Sequence, residues 1–447
     1  MMKLDKGLKI TLIILLIILI SIVSFAGIYV QEKKSMVNIL KDYQLGMDLK
    51  GSRIVTTAVD TGVETIYYDK DRNIVEEETK DGSKKEVPIN SEEILTKENY
   101  TKTKEIVEKR LHDYGVSEYL IRQDENSGKL TVQLPEDSDT DMAIQYIYTV
   151  GKFTIVGEND EILLDRSNIK EAKAVYGSTS SGTTVYLNIE FNKDSIEKLK
   201  EISNTYVKTT DSEGNETTKK ISIKLDDSTL TSTSFGEEIT NGILQISVGD
   251  ATTDTTTINN YLEEARNLAI LINDGELPIE YTLEQNRYVS SNITTRNVVI
   301  AAMVVGAIMI VTIIVLGIIY KKNGILIGIA NIGYAAILLL LIRYTNVVIT
   351  TEGLFGILTS IVLNYIFSIY LLKTIKEEID AKKAYNKATL AMVFVLIPAL
   401  IVGITLCFAN WMPIYSFGAL IFWGILTIFV YNAVLTRTLL ICGTKNR

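Results

Sequence analysis

Cysteine and histidine are nearly absent from these 447 residues: there are two of the first and one of the second. Both cysteines, Cys407 and Cys442, fall in the apolar C-terminal part, so no disulfide can staple the polar middle and its own core must hold it. The lone His112 stands at the end of a predicted helix beside Asp113, a position that suits a solvated helix end better than general-base work. Zinc sites and Ser-His or Cys-His nucleophiles need partners this chain lacks. No G-x-x-x-x-G-K-[ST] loop offers a cradle for nucleotide phosphates. Carboxylates cluster at 76–78 and 136–141, but such runs ordinarily form a solvated face, and Asn-x-Thr at Asn99, Asn215 and Asn292 is a permissive pattern. Basic stripes are missing as well. With 45 Lys+Arg against 54 Asp+Glu the net charge is -9, which argues against nucleic-acid binding. The expectation is a chain that is not an enzyme, with no catalytic residues, metal or cofactor.

What the chain has is long apolar runs. One covers 10–30, about 265 mostly polar residues follow, and five more are packed between 297 and 442, at about 298–319, 324–342, 353–372, 388–408 and 416–441. Each can cross about 30 Å of hydrocarbon at roughly 1.5 Å per residue. The first run exceeds the usual core of a signal peptide, roughly 7–15 residues, and no small-x-small cleavage site follows it, so it reads as a retained anchor. Lys3, Lys6 and Lys9 precede it; Lys321, Lys322, Lys373, Lys376, Lys382, Lys383 and Lys387 follow the second and fourth runs, and Arg437, Lys445 and Arg447 close the chain. The loops near Arg343 and at 410–415 carry little positive charge, so the positive-inside bias puts both termini (1–9 and 443–447) in the cytoplasm of a multi-pass plasma-membrane protein. The large domain then lies outside.

In that domain, Leu45-Gly46-Met47-Asp48-Leu49-Lys50-Gly51 leads into a strand at 52–59, and 63–89 reads as an inserted polar hairpin turning at 69–73. Helical spacing of Ile106, Val107 and Leu111 marks a helix at 99–114 ended by Gly115. A strand at 129–134 stops at Pro135, a helix restarts at 137–148, and 152–156 is another strand. This alternation predicts a ferredoxin-type α+β sandwich. A second round follows: strand 183–191, helix 193–207, polar loop 209–218, strands near 219–225, 229–235 and 243–248, then a long helix 257–273 ended by Gly275 and Pro278. The expected fold is a six-helix membrane bundle carrying two ferredoxin-like lobes: a base at 31–164 and 257–296, and a head at 165–256.

Charge inside a membrane is costly and normally functional. Between Gln285 and Lys376 the only acid is Glu352, and none follows Asp380. The polar groups left inside are Asn331, Tyr334, Asn364, Tyr365 and Ser368, with Tyr431 and Asn432 in the last run. They read either as interhelical hydrogen bonding or as a polar path.

Several segments resemble the SecD/SecF family of export-assisting membrane subunits, a branch of the resistance-nodulation-division superfamily. Leu45-Gly46-Met47-Asp48-Leu49-Lys50-Gly51 is similar to its L-G-L-D-L-[RK]-G motif. The stretch from Glu108 through Arg110 and Leu111 to Gly115 and Glu118 resembles E-x-R-[VI]-x-x-x-G-V-x-E, with Leu111 the one deviation, and Val132-Gln133-Leu134-Pro135 matches V-Q-L-P. Glu264-Ala265-Arg266-Asn267-Leu268-Ala269 with Gly275, Leu277 and Pro278 resembles E-A-R-x-L-A followed by G-x-L-P. Ile375-Lys376-Glu377-Glu378 resembles [IR]-R-E-E, and Leu435-Thr436-Arg437 resembles V-T-R. The family carries an Asp in the middle of the fourth span, and alignment from both flanking motifs puts Ile366 there.

The resemblance implies an accessory translocase subunit, driven in the family by proton motive force, that assists late translocation and release of unfolded preproteins outside the membrane. Implied partners are a SecF-like subunit supplying the other six-span half, the SecYEG channel, the preproteins, and YajC- or YidC-like accessory proteins. Strand addition at a sheet edge and an apolar groove between lobes would grip the cargo, and the head would swing on hinges near 158–165 and 252–256. Ile366 cannot load a proton as a buried carboxylate can, so coupling would need the partner or Glu352. The alternatives are a passive translocon scaffold and a small-molecule or lipid exporter of the same superfamily. The exporter should carry a second six-span half and an intramembrane acid.

Overall fold

The structure, a computed structural model, describes residues 5–32, 35–68, 74–75, 83–137, 139–158, 161–207, 209–210, 216–217, 219–291, 293, 295–378 and 380–443. Lys3, Lys445, Arg447, Asn215, Asn292, the acidic run 76–78 and the turn 69–73 lie outside the described residues, as do 159–160 and part of the 209–218 loop. The elements in chain order are α1 (Lys6–Ala26), β1 (Tyr29–Glu32), β2 (Ser35–Asn38), α2 (Met47–Lys50), β3 (Ser52–Val59), β4 (Val63–Tyr68), β5 (Ile74–Val75) and β6 (Ser83–Pro88). Then come α3 (Lys97–Tyr114), β7 (Leu120–Gln123), β8 (Leu130–Pro135), α4 (Thr140–Tyr148), β9 (Phe153–Val156), β10 (Ile162–Asp165), β11 (Ile169–Thr179), β12 (Gly182–Phe191) and α5 (Ile196–Thr205). The rest are β13 (Thr209–Thr210), β14 (Glu216–Thr217), β15 (Ile221–Leu225), β16 (Ser228–Thr233), β17 (Ile243–Thr252), α6 (Thr255–Asp274), β18 (Tyr281–Val289), α7 (Thr295–Ile342), α8 (Thr351–Glu377), α9 (Ala381–Leu406), α10 (Met412–Tyr431) and α11 (Arg437–Gly443). They form two compact units, one of 1–52 with 289–447 and one of 53–288.

The first unit is helical. Among the described residues five helices are long and apolar enough to cross a membrane. The expected run 10–30 is shifted: α1 ends at Ala26 because Gly27, at φ +85°, turns the chain into the β1–β2 hairpin. The expected pair 298–319 and 324–342 is a single helical run, α7, broken at Lys321, whose φ of 52° and ψ of -133° are not helical. A straight helix would hold Ile313 and Gly328 about 22 Å apart, yet a methyl group on Gly328 would touch the Ile313 side chain, so the run turns back on itself at the break. The last expected run, 416–441, is α10 and α11 joined by a π-helical turn at Asn432–Thr436.

Small residues let the helices of this unit approach closely. Gly353 and Gly356 of α8 lie against Ser416 and Leu420 of α10, and Gly424 of α10 lies against Ser360 of α8. Ile17, Leu338, Leu371, Leu396, Ile425 and Leu440 belong to its single apolar core.

In the second unit one sheet has the strand order β18-β3-β8-β7 and the chain order strand, helix, strand, strand, helix, strand. The short β7 adds a strand that the sequence reading omits. Val55, Val107, Leu111, Val132, Leu134 and Ile147 are its buried apolar contents. Arg53 of β3 holds Glu136 through two bonds of 2.6 and 2.8 Å and reaches Asp141 at 3.2 Å. The carboxylates of 136–141 are therefore partly tied to a cation rather than merely solvated.

A second core gathers two further sheets, β10-β9-β15-β16 and β11-β12-β17. It departs from the expected head in two ways. Phe153 and Ile155 of β9, placed by the sequence reading in the base, are buried here because β9 pairs with β15. Ala265, Ala269 and Ile272 of α6, read as returning to the base, also pack into this core. The expected hinges fall on bonded structure: Asp165 ends β10 and caps a short 3-10 turn, and Asp254 caps α6. Inserted β4 pairs antiparallel with β5, as the hairpin expected around 69–73 requires, and β6 pairs with the other edge of β4.

Candidate functional site

Three constructions gather most of the residues singled out by the sequence. The first is the segment Leu45–Gly51 in the helical unit. Gly46 N–H donates to the Ile349 carbonyl at 2.9 Å, and Ile349 N–H donates to the Gln44 carbonyl at 2.7 Å. Asp48 Oδ2 accepts both the amide and the hydroxyl of Thr351, each at 2.5 Å. A carboxylate thus sits on the first turn of α8, where exposed N–H groups and the helix dipole favour negative charge. Leu49 is buried in the helical core beneath it, and Gly51, at φ +95°, directs the chain into β3. Arg343 reinforces the clasp: its guanidinium lies 4.3 Å over the Tyr43 ring and donates to the Lys41 carbonyl at 3.1 Å.

The second is a buried amide cluster between helices. Asn331 Oδ1 accepts from Asn364 Nδ2 and from Ser368 Oγ, both at 2.8 Å. Asn432 Nδ2 donates to Asn364 Oδ1 at 2.7 Å and to the Ile428 carbonyl at 2.9 Å. Asn432 opens the π-turn, so one irregular turn aims its amide into the cluster. Two residues of the expected polar path stand apart: Tyr334 donates to the Gly424 carbonyl at 3.1 Å, and Tyr365 is half-buried with no hydrogen-bond partner for its hydroxyl among the described residues. Asn432, read in the sequence among the polar groups of the last run, joins α8 to the end of α10. Ile366, at the family's Asp position, is 48% exposed on α8 and faces away from the amides.

The third centres on Arg110 of α3, which is fully buried. Its guanidinium donates to the carbonyls of Thr149 at 2.5 Å, Gly275 at 2.6 Å, Val150 at 2.8 Å and Tyr146 at 3.3 Å. The cation holds together the end of α4 and the turn after α6, sharing the Val150 carbonyl with the Leu277 N–H and satisfying orphan carbonyls at these chain ends. Burial lowers its pKa to about 10, against the opposing attraction of Asp274. Beside it, burial pushes the Asp274 carboxyl above the usual range, opposed by Lys109 at 3.0 Å. Gly115 closes α3 in the left-handed conformation, and Pro135 is buried with its carbonyl bonded by Thr140 Oγ1 at 2.9 Å.

The Ala265–Ala269 motif occupies two faces of α6. Ala265 and Ala269 enter the core, Arg266 is exposed, and Leu268 lines a cleft of about 500 Å³ between α4 and α6 with Met142, Leu271, Glu263 and Glu264. Glu263 and Glu264 are the acidic groups lining that cleft; at the end of α3, burial first, then Asp139, Glu263 and Asp137, push the Tyr114 hydroxyl up to about 12. Pro278 is half-buried after the Gly275 turn. Glu377 is exposed, Glu378 pairs with Lys387 at 3.0 Å, Arg437 lies 5.6 Å from the Tyr385 ring centre, and His112 Nδ1 is 2.9 Å from Asp113.

No protein-family model matches the chain. Curated relatives do. The protein translocase subunit SecD of Acidaminococcus fermentans is 25% identical over 286 residues, 64% of this chain and 62% of that one. SecD of Dictyoglomus turgidum is 23% identical over 356 residues, 77% of this chain and 83% of that one. The SecDF subunit of Bacillus subtilis is 24% identical over 80% of this chain, which spans 49% of its length. A crystal structure of SecDF in a super-membrane-facing form superposes with a TM-score of 0.55 at 18% identity, covering 98% of this chain and 57% of that one, a likeness of fold. Over most of its length this chain is similar in sequence to SecD protein translocase subunits, and its fold is SecDF-like.

Proposed function

We propose that the chain is an accessory subunit of a Sec translocase that handles unfolded preproteins on the outer side of the plasma membrane, late in their passage. The observation that carries this reading is that similarity to SecD runs through both units: the 356 residues matched to the D. turgidum protein exceed the 236 of the 53–288 unit. In this reading the turned-back α7 supplies two crossings, giving six, with both termini cytoplasmic and the β-rich unit outside. The strand order β18-β3-β8-β7 of its first sheet supports reading that part as a ferredoxin-type lobe. A SecF-like subunit, the SecYEG channel and YajC- or YidC-like proteins are the partners it implies. The subunit works by binding and releasing chain, through the α4–α6 cleft and open sheet edges.

A second reading, without proton coupling through this chain, is favoured by the amide cluster. Asn331, Asn364, Ser368 and Asn432 are hydrogen-bonded to one another and none exchanges a proton near neutral pH. Here they fasten α7, α8 and the end of α10 as one body.

Pulse-chase export in cells depleted of the chain tests the function. Secretory precursors should mature several-fold more slowly, and full-length chain should restore the rate whereas a chain lacking 53–288 should not. Unchanged maturation on depletion would refute it.

A further inference from the structure

Sheet edges are hazards that folds protect with charges, bulges or covering groups. β11 is an edge strand of eleven residues, paired on one side with β12 and, among the described residues, with no strand on the other. Its first half is protected in three ways. The register shifts between Ile169 and Glu171, the side chains of Lys170, Glu171 and Lys173 are charged, and Asn273 of α6 places its amide on the open edge. There Asn273 Oδ1 accepts the Ala172 N–H at 2.7 Å while Asn273 Nδ2 donates to the Ala172 carbonyl at 2.9 Å. One side-chain amide thus stands in for one rung of a missing strand.

Because Ala172 directs both groups outward, the period of two makes Ala174, Tyr176 and Ser178 the other outward-facing residues. The distal half, Ala-Val-Tyr-Gly-Ser-Thr at 174–179, has no charged residue, and the Tyr176 side chain is 57% exposed. The two other long edges differ. β17 is interrupted by a register shift near Gly249, which has a φ of +78°, and β18 carries Glu284 and Arg287.

We infer that the edge at 174–179 of β11 is where the unit takes an extended segment of an unfolded secretory polypeptide, as an added strand. Resting on the preprotein-handling reading above, it names the site of that grip. Main-chain rungs ask nothing of sequence, and the bonds already made by Asn273 are those an incoming backbone would make at the next position. The occupant is an extended chain about six residues long, spanning roughly 20 Å.

The test uses the full chain in membrane vesicles with a signal-bearing secretory polypeptide stalled by a folded C-terminal block. A photoreactive aromatic residue replaces Tyr176. Crosslinking to the stalled polypeptide is expected, falling at least tenfold in Ala174→Pro and Ser178→Pro, which remove outward N–H groups and leave the β12 ladder intact. It should persist in Ala174→Ser. Protection of the Val175 and Tyr186 amides from hydrogen exchange verifies the ladder. Where a proline variant loses that protection, Asn273→Ala decides, since freeing the Ala172 rung should raise crosslinking from a probe at Lys173 several-fold. Undiminished crosslinking in a proline variant with an intact ladder overturns the inference, as does an Asn273→Ala variant with no increase. Crosslinks to the stalled polypeptide elsewhere on 53–288 but not on β11 overturn it and leave the proposed function standing. No crosslink anywhere on the unit overturns both. Crosslinks only to a second copy of this chain overturn it in favour of edge-to-edge pairing.

Discussion

Replacing Arg110 by Met removes the one cation that joins α3, the end of α4 and the turn after α6. Four carbonyls lose a bond, those of Tyr146, Thr149, Val150 and Gly275, and among the described residues only the Val150 carbonyl keeps a second donor, the Leu277 N–H at 2.8 Å. At about 1.5–3 kcal/mol for each bond to a charged group a plain sum would exceed 6 kcal/mol. Such bonds are not additive, and the variant also escapes the desolvation of a buried guanidinium. The measured cost of breaking buried charge networks, about 3–5 kcal/mol, is the better guide. In a unit of 236 residues that corresponds to a midpoint lowered by roughly 6–20 °C. Tryptophan fluorescence would miss the change, because Trp411 and Trp423 both belong to the helical unit. The assay is therefore hydrogen exchange in α3 and α4 of the full chain during a thermal series. A midpoint within about 2 °C of wild type would refute the assignment of Arg110 as a structural hub. Gly151 gives an independent check, since a methyl group there would press on Arg110 Nη2.

Gly115→Ala should cost about 1–2 kcal/mol through the left-handed backbone alone, because a Cβ at that position meets nothing within 4 Å; chemical denaturation followed at α3 measures it. Asp48→Ala should remove the Thr351 partner and speed exchange of the Thr351 amide roughly tenfold, the factor that follows from a cap worth about 1–1.5 kcal/mol. Asp274→Asn should alter the pH profile of stability in one direction. Burial raises the folded-state pKa of Asp274, so the folded protein holds its proton longer than the unfolded chain. Wild type then loses stability as pH rises from about 4 through the raised value, and the variant should lack that loss. The difference between their denaturation midpoints across this interval measures it, and parallel profiles would contradict the assignment.

The apolar frame was legible because membrane helices must satisfy their own backbone bonds and therefore announce themselves by length and hydropathy. Where local conformation overrides hydropathy, the boundaries escaped: Gly27 stops α1 early and a π-turn divides the last run, whereas the break at Lys321 falls in the gap expected between 319 and 324. The helix at Lys97–Tyr114 was readable from its spacing and its Gly115 cap. β11 was not, since its Lys-Glu-Ala-Lys start looks helical and only pairing with β12 makes it a strand. Similarly, the place of β9 in the second core depends on β15, some 70 residues later, a partner no local pattern discloses. The motif positions Asp48 and Arg110 stood out in the sequence, but their partners, Thr351 and four backbone carbonyls, come from distant segments. The members of the amide cluster were visible, Asn331, Asn364, Ser368 and Asn432 all being intramembrane polar groups, but the π-turn that aims Asn432 inward was not.

Cysteine accessibility in intact cells tests the central claim most directly, that the β-rich unit stands on the outer side where secretory chains emerge. With Cys407 and Cys442 replaced by Ser, single cysteines at Ser178 and at Lys383 would be challenged with a membrane-impermeant maleimide. The account predicts labelling at 178 in intact cells and at 383 only after permeabilisation; the reverse pattern would contradict it.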